Sequence, residues 1–323
     1  MAKFALKCGD SYGKEKKGYL ASSRIRGHWL ANYWLDLDER FYPENFNQTS
    51  EEFFQVDNQL RILQGYTTVI LQKTYEWRLA QRLRERGQLV IVDCCDPDWL
   101  SSHSSEQRKN DCLKTFDNAD AVVVNGKYMA ESVKKVFKGL VEIIPDRIDL
   151  KTCYPKKDYQ KEEVRSVVWY GYSENLRVLE PYLKKIINLG LEITIISDKF
   201  FQNLILTGCK YNPKEKITFK VWHPETINQQ IIEHDIVFTG KDLDQYLSKF
   251  KSNNRKLTAW ALNMPVAENI KDLKRLLSRE ERIKDVFNGN KLVREKFDIR
   301  HSVYVYEHLI NRLIYRRKDA HMS

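Results

Sequence analysis

Short runs of consecutive apolar, mostly β-branched residues recur along this chain, separated by amphipathic stretches. Thr68-Val69-Ile70-Leu71, Leu89-Val90-Ile91-Val92 and Ala121-Val122-Val123-Val124 are the plainest. A strand with one wet face alternates apolar and polar residues, so unbroken runs belong to strands covered on both sides. Joined by helices, such runs imply parallel sheets with helices on both faces. The first half reads as a strand at Phe4-Ala5-Leu6, a polar loop from Gly9 to Gly13 and a helix from Ser22 to Trp34, then the strand at Thr68 to Leu71. A helix from Glu76 to Arg86 stops at Gly87 before the strand at Leu89 to Val92, and a helix from Glu106 to Asn118 precedes the strand at Ala121 to Val124. A helix from Lys127 to Phe137 and a strand at Val141 to Ile144 complete this series.

Lys151 to Glu163 is polar, contains Pro155 and four lysines, and reads as a linker. A second series follows it: a strand at Val167 to Tyr170 entering a turn at Gly171, a helix from Leu176 to Leu189, and strands at Glu192 to Ile196, Ile217 to Val221 and Ile236 to Phe238. Lys256 to Leu262 begins a helix stopped before Pro265. His301 to Arg317 closes the chain as a helix with Val303, Tyr306, Ile310 and Leu313 along one side. The expectation is an α/β protein of two Rossmann-like domains, 1–150 and 151–300, with a terminal helix at 301–323 that returns to the first.

Composition is consistent with this. A chain of 323 residues is long enough for two cores, and 42% hydrophobic content excludes disorder. No apolar run approaches the roughly 20 residues needed to cross a bilayer, and the N-terminus carries no apolar leader, so a cytoplasmic protein is expected. Six cysteines without a C-x-x-C pair indicate reduced structural thiols and no metal site. Charge divides unevenly: residues 1–150 hold 22 Lys+Arg and 22 Asp+Glu, so the remainder carries the whole net charge of +10. An anionic ligand is expected to find its attraction mainly in the second half.

Three segments, in order, resemble GT-B glycosyltransferases. Asn118-Ala119-Asp120-Ala121 through Met129, followed by Val141-Glu142-Ile143-Ile144-Pro145-Asp146, resembles the end of that family's first domain. Val167 to Gly171 with Asn175 resembles the first strand and turn of its second domain, and Asn254-Arg255-Lys256-Leu257 through Pro265-Val266 resembles the helix beside the donor nucleotide. The resemblance implies two domains facing each other across a cleft and a hexosyltransferase with no cofactor, using a nucleotide-sugar, UDP-linked by expectation, as co-substrate. It implies diphosphate contacts from Arg255 and Lys256 and close backbone approach at Gly171 and Tyr172. Lys251, Asn254 and Asn175 join them on the donor side. Aligned on Pro265, Thr258 and Phe250 stand where retaining members with a Glu-x7-Glu pattern carry glutamates. An inverting reaction is therefore expected.

Inverting transfer needs a base for the acceptor hydroxyl. Asp96 and Asp98 follow the strand at Leu89 to Val92, at the carboxyl end where open α/β sheets bind ligands, and are the base candidates, with helix capping and turn formation as the competing role. Trp99 is a stacking candidate and His103 a lesser base candidate. Arg24 and Arg26, after the first strand, and Lys73 and Tyr75, after the strand at Thr68 to Leu71, are acceptor candidates. Two acceptor classes suit a basic protein: double-stranded DNA bearing hydroxymethylated bases, as used by phage enzymes of this fold, and a lipid-linked or polysaccharide acceptor. The short first domain favours DNA. A noncatalytic sugar-nucleotide or nucleic-acid binding protein is the other class left open.

Overall fold

Phe4 and Leu6 leave β1 (Phe4–Cys8) on one side and Ala5 on the other, and both sides meet apolar partners. The computed structural model describes residues 4–8, 21–34, 37–38, 52–100, 104–158, 163–198, 212–240 and 249–322. The chain divides into two compact units. Unit 1 is Met1–Arg147 with Lys249–Ser252 and Ile299–Ser323; unit 2 is Ile148–Ser248 with Asn253–Asp298.

Unit 1 holds β1, β2 (Leu37–Asp38), β3 (Thr68–Gln72), β4 (Leu89–Cys94), β5 (Ala121–Val124) and β6 (Leu140–Ile143), all parallel in the order β2-β1-β3-β4-β5-β6. On one face Phe4, Leu6, Ile70, Leu89, Ile91, Ala121 and Val123 pack against Leu30, Trp34 and the apolar side of the helix Arg300–Met322. On the other, Ala5, Val69, Leu71 and Val90 pack against Leu60, Leu63, Leu79, Ala80 and Leu83. Every residue of β3 and β4 is buried, as expected of strands without a wet face. The terminal helix belongs to unit 1 because Val303, Tyr306, Leu309, Ile310 and Leu313 complete that core.

Unit 2 holds β7 (Ser166–Tyr170), β8 (Glu192–Ser197), β9 (Ile217–Val221), β10 (Ile236–Phe238) and β11 (Val266–Ala267), parallel in the order β11-β10-β7-β8-β9. This is the Rossmann half-sheet order, in which the chain steps outward from β7 to β9 and then returns to its other side. The point where the order reverses lies between β7 and β10.

Three stretches differ from the sequence-based expectation. The helix expected over Leu176 to Leu189 is a 3-10 segment, Ser173–Val178, followed by the α-helix Glu180–Asn188. Pro181 has no N–H and its ring opposes the carbonyl four residues earlier, so α-helix begins only around it. The helix expected to reach Phe137 stops at Val133. The expected linker is partly packed: Cys153 is buried, and the Lys157 amide donates to Leu262 O at 2.9 Å. The Gly9 to Gly13 loop lies outside the described residues.

Candidate active site

In unit 2 the reversal point brings together the end of β7 and the helix Asn254–Ala261. Tyr170 Oη donates to Arg255 O at 2.6 Å, fixing the first turn of that helix to the strand end. Arg255 then folds back: its guanidinium lies over the Trp169 ring, 5.6 Å from the centroid, and Nη1 is 3.4 Å from Tyr170 O. Gly171 is needed here. A Cβ at Gly171 would lie 3.1 Å from the Trp169 ring and 3.3 Å from Arg255 Nη1, so a side chain would crowd the guanidinium. Burial lowers the pKa of Arg255, and no carboxylate bonds to it among the described residues.

The other donor-side candidates are placed less uniformly. Lys256 is committed to Glu268, Nζ to Oε2 at 2.8 Å, and lies over the Trp260 ring. Asn254 and Thr258 stand one turn apart on the Arg255 helix. Tyr172 is partly exposed, and its carbonyl accepts from the Asn175 amide at 2.9 Å in the 3-10 turn after β7. Lys251 belongs to the other unit: it lies in the segment Lys249–Ser252 of unit 1, where Phe250 is buried and its carbonyl accepts from Asn125 Nδ2 at 3.1 Å.

In unit 1 the order reverses at β1, so ligands are expected near the ends of β1 and β3, with β4 alongside. Lys73 follows β3 with φ 55°, its amide donating to Asp93 O at 2.8 Å. Its Nζ is 2.6 Å from Asp96 Oδ2, and that carboxylate is 44% exposed. Asp98 is different. Its Oδ2 accepts from Tyr75 Oη at 2.8 Å and from Arg108 Nη2 at 3.0 Å, with only 12% of the side chain exposed. Burial pushes the Tyr75 hydroxyl well above its ordinary pKa and the Cys112 thiol up to about 12.

Two acceptor candidates are buried. Arg26 is buried: Nε donates to Asp93 Oδ1 at 2.6 Å and Nη1 to Asp146 Oδ1 at 2.8 Å, while Tyr306 Oη donates to the other oxygen of Asp93. Two carboxylates face its charge inside the unit, while Nη2 is buried without a partner among the described residues. Trp99 is buried edge-on against Phe116, with ring centroids 5.4 Å apart. Arg24 is half-buried with its guanidinium 5.5 Å from the Trp29 ring centroid. His103 lies outside the described residues.

Sequence reading passed over Arg108, Glu268 and Asn125. Asn125 Nδ2 bridges Cys95 O at 3.0 Å and Phe250 O. Its one visible signal was position, directly after a buried strand at the carboxyl end. Among the described residues no three His, Cys, Asp or Glu side chains cluster as metal ligands would.

No protein-family model and no curated protein matches the chain. Solved structures do. Anabaena HepE in complex with UDP superposes with a TM-score of 0.67 at 12% identity, over 98% of this chain and 100% of that one. HepE with UDP-glucose gives 0.66 at 10% identity, over 96% and 100%. TarM gives 0.56 at 9% identity over 76% of this chain and 54% of TarM, so the chain spans about half of TarM's length. Two parallel sheets in these orders, matched end to end in HepE, identify the chain as having the double-Rossmann GT-B fold.

Proposed function

We propose that the chain is a glycosyltransferase that moves a sugar from a UDP-sugar to a hydroxyl acceptor with inversion. One observation carries this reading: Arg255 brings a guanidinium to the reversal point of a Rossmann sheet, with no carboxylate on it among the described residues. Desolvating a cation without a counter-charge is costly, and an arriving diphosphate recovers that cost in charge-assisted bonds. The same contact strengthens as the sugar leaves and the diphosphate gains negative charge, which is stabilisation of the transition state. HepE is solved with UDP and with UDP-glucose, which supports a UDP-sugar donor. Gly171 and Tyr172 are assigned to the backbone approach, and Asn175, Asn254 and Thr258 to the rest of the nucleotide. Lys256, already neutralised by Glu268, contributes less charge than Arg255.

Asp96 is assigned the role of base. The acceptor oxygen bonds to the anomeric carbon, the bond from that carbon to the diphosphate oxygen breaks, and the hydroxyl proton passes to the Asp96 carboxylate. Between the acceptor classes, ion pairing favours a neutral saccharide hydroxyl over DNA. Three basic side chains described near the ends of β3 and β4 are matched by carboxylates: Lys73 by Asp96, Arg108 by Asp98, Arg26 by Asp93 and Asp146. A polyanion requires unmatched cations.

Labelled UDP-glucose offered with neutral oligosaccharides or with hydroxymethylated DNA tests the reading. Label is expected in saccharide. Label only in DNA, with salt-sensitive binding, would replace the acceptor; no transfer from any nucleotide-sugar would overturn the function.

A further inference from the structure

Lys73 is held in a backbone conformation that L-residues with long side chains rarely adopt. Its φ of 55° lies in the left-handed region, which glycine takes freely and lysine only under strain. The surroundings enforce it. The Lys73 amide extends the β3–β4 ladder by one bond to Asp93 O, while Thr74 Oγ1 donates to Gln72 O at 3.2 Å and tightens the turn. The result turns the Lys73 side chain toward the loop after β4, where Nζ meets Asp96 Oδ2 at 2.6 Å. The two side chains are 28% and 44% exposed, and an ion pair that wet stabilises less than such a conformation costs. Fold stability therefore does not account for the arrangement. The pair stands at the carboxyl end of the sheet, beside the point where strand order reverses.

We infer that Lys73 is a positioning residue, which holds the Asp96 carboxylate in the orientation from which it takes the acceptor's proton. This rests on Asp96 being the base of the proposed transferase. It assigns Lys73 a task other than holding the acceptor, since its charge is already engaged. Asp98, the nearest alternative carboxylate in sequence, is bound by Tyr75 and Arg108.

Three variants test it: Lys73→Met removes the charge, Lys73→Gly removes charge and strain together, and Lys73→Arg keeps a cation. The expected result is a fall in kcat of at least about tenfold in the Met and Gly variants, with acceptor KM nearly unchanged and most activity recovered in the Arg variant. Lys73→Gly is expected to melt no lower than wild type, which separates a lost function from a lost fold. A crystal structure of Lys73→Met is expected to find the Asp96 carboxylate turned from its wild-type orientation. A raised acceptor KM at constant kcat would make Lys73 an acceptor contact and overturn the inference. An unmoved Asp96 in that crystal structure would also overturn it. Absence of sugar transfer by wild type would sink the proposed function and the inference with it, whereas an unmoved Asp96 beside intact wild-type transfer would sink the inference alone.

Discussion

Asp96 and Asp98 share a loop, yet their carboxylates have different surroundings. Asp98 is buried and engaged: Tyr75 and Arg108 donate to it, and the Arg108 guanidinium lies 5.0 Å from the Tyr75 ring centroid. Asp98→Asn should cost about 1–3 kcal/mol of stability by weakening charge-assisted bonds, with kcat little changed in the fraction that folds. Asp96→Asn should reverse this, leaving the melting temperature near wild type and lowering turnover by about 10²–10⁴. Thermal melts and kinetics on both variants decide the assignment. Sequence placed both carboxylates at a strand end but could not rank them, because the ranking depends on Tyr75 and Arg108, whose approach is a tertiary event. Arg26 illustrates the same limit more strongly. Its acidic partners are 67 and 120 residues away, so nothing local marks it as a core residue.

At the scale of elements, the strands were legible because unbroken β-branched runs have few other uses. The helix Arg279–Lys296 was not. Its buried positions, Arg282, Val286, Gly289 and Val293, keep helical spacing, but two of the four are not apolar and the periodicity is hidden. Arg282 is inside because Nη1 donates to Leu276 O at 3.0 Å and Leu277 O at 2.9 Å, meeting carbonyls left open at the end of the preceding helix. Gly289 is inside because Trp260 of the Arg255 helix occupies the space: an added Cβ would lie 2.2 Å from Trp260 Cγ. Trp260 Nε1 donates to Asp285 and Asn290 Nδ2 to Trp260 O, so the two helices are locked at this crossing. Gly289→Ala should therefore cost roughly 1–3 kcal/mol through overpacking and, by displacing the Arg255 helix, weaken UDP binding as well. A denaturant titration paired with a UDP titration checks it. Full stability with unchanged affinity would mean the crossing yields freely.

For the molecule as a whole, the paired strand-end cations of unit 1 and the donor-side cation of unit 2 point in one direction. Arg255, with no carboxylate on its guanidinium among the described residues, is in unit 2. Unit 2 also carries a pH dependence of stability. His234 is buried, with Nε2 2.7 Å from Thr194 Oγ1 and Nδ1 2.8 Å from Gln230 O, and burial lowers its pKa below the ordinary 6.5. The unfolded chain then binds the proton more readily, so stability should decline as pH falls below about 6.5 and be indifferent to His234 above it. Melting curves from pH 7.5 to 5 should show this decline, and His234→Gln should flatten it.

Arg255 as the diphosphate anchor is tested most directly by calorimetric titration of UDP into the full chain and into Arg255→Ala. Saturable one-to-one binding to wild type is expected, weakened about 10- to 150-fold in the variant as one charge-assisted contact of roughly 1.5–3 kcal/mol is lost. Binding of equal strength in both proteins, or no binding to wild type at millimolar UDP, would contradict it.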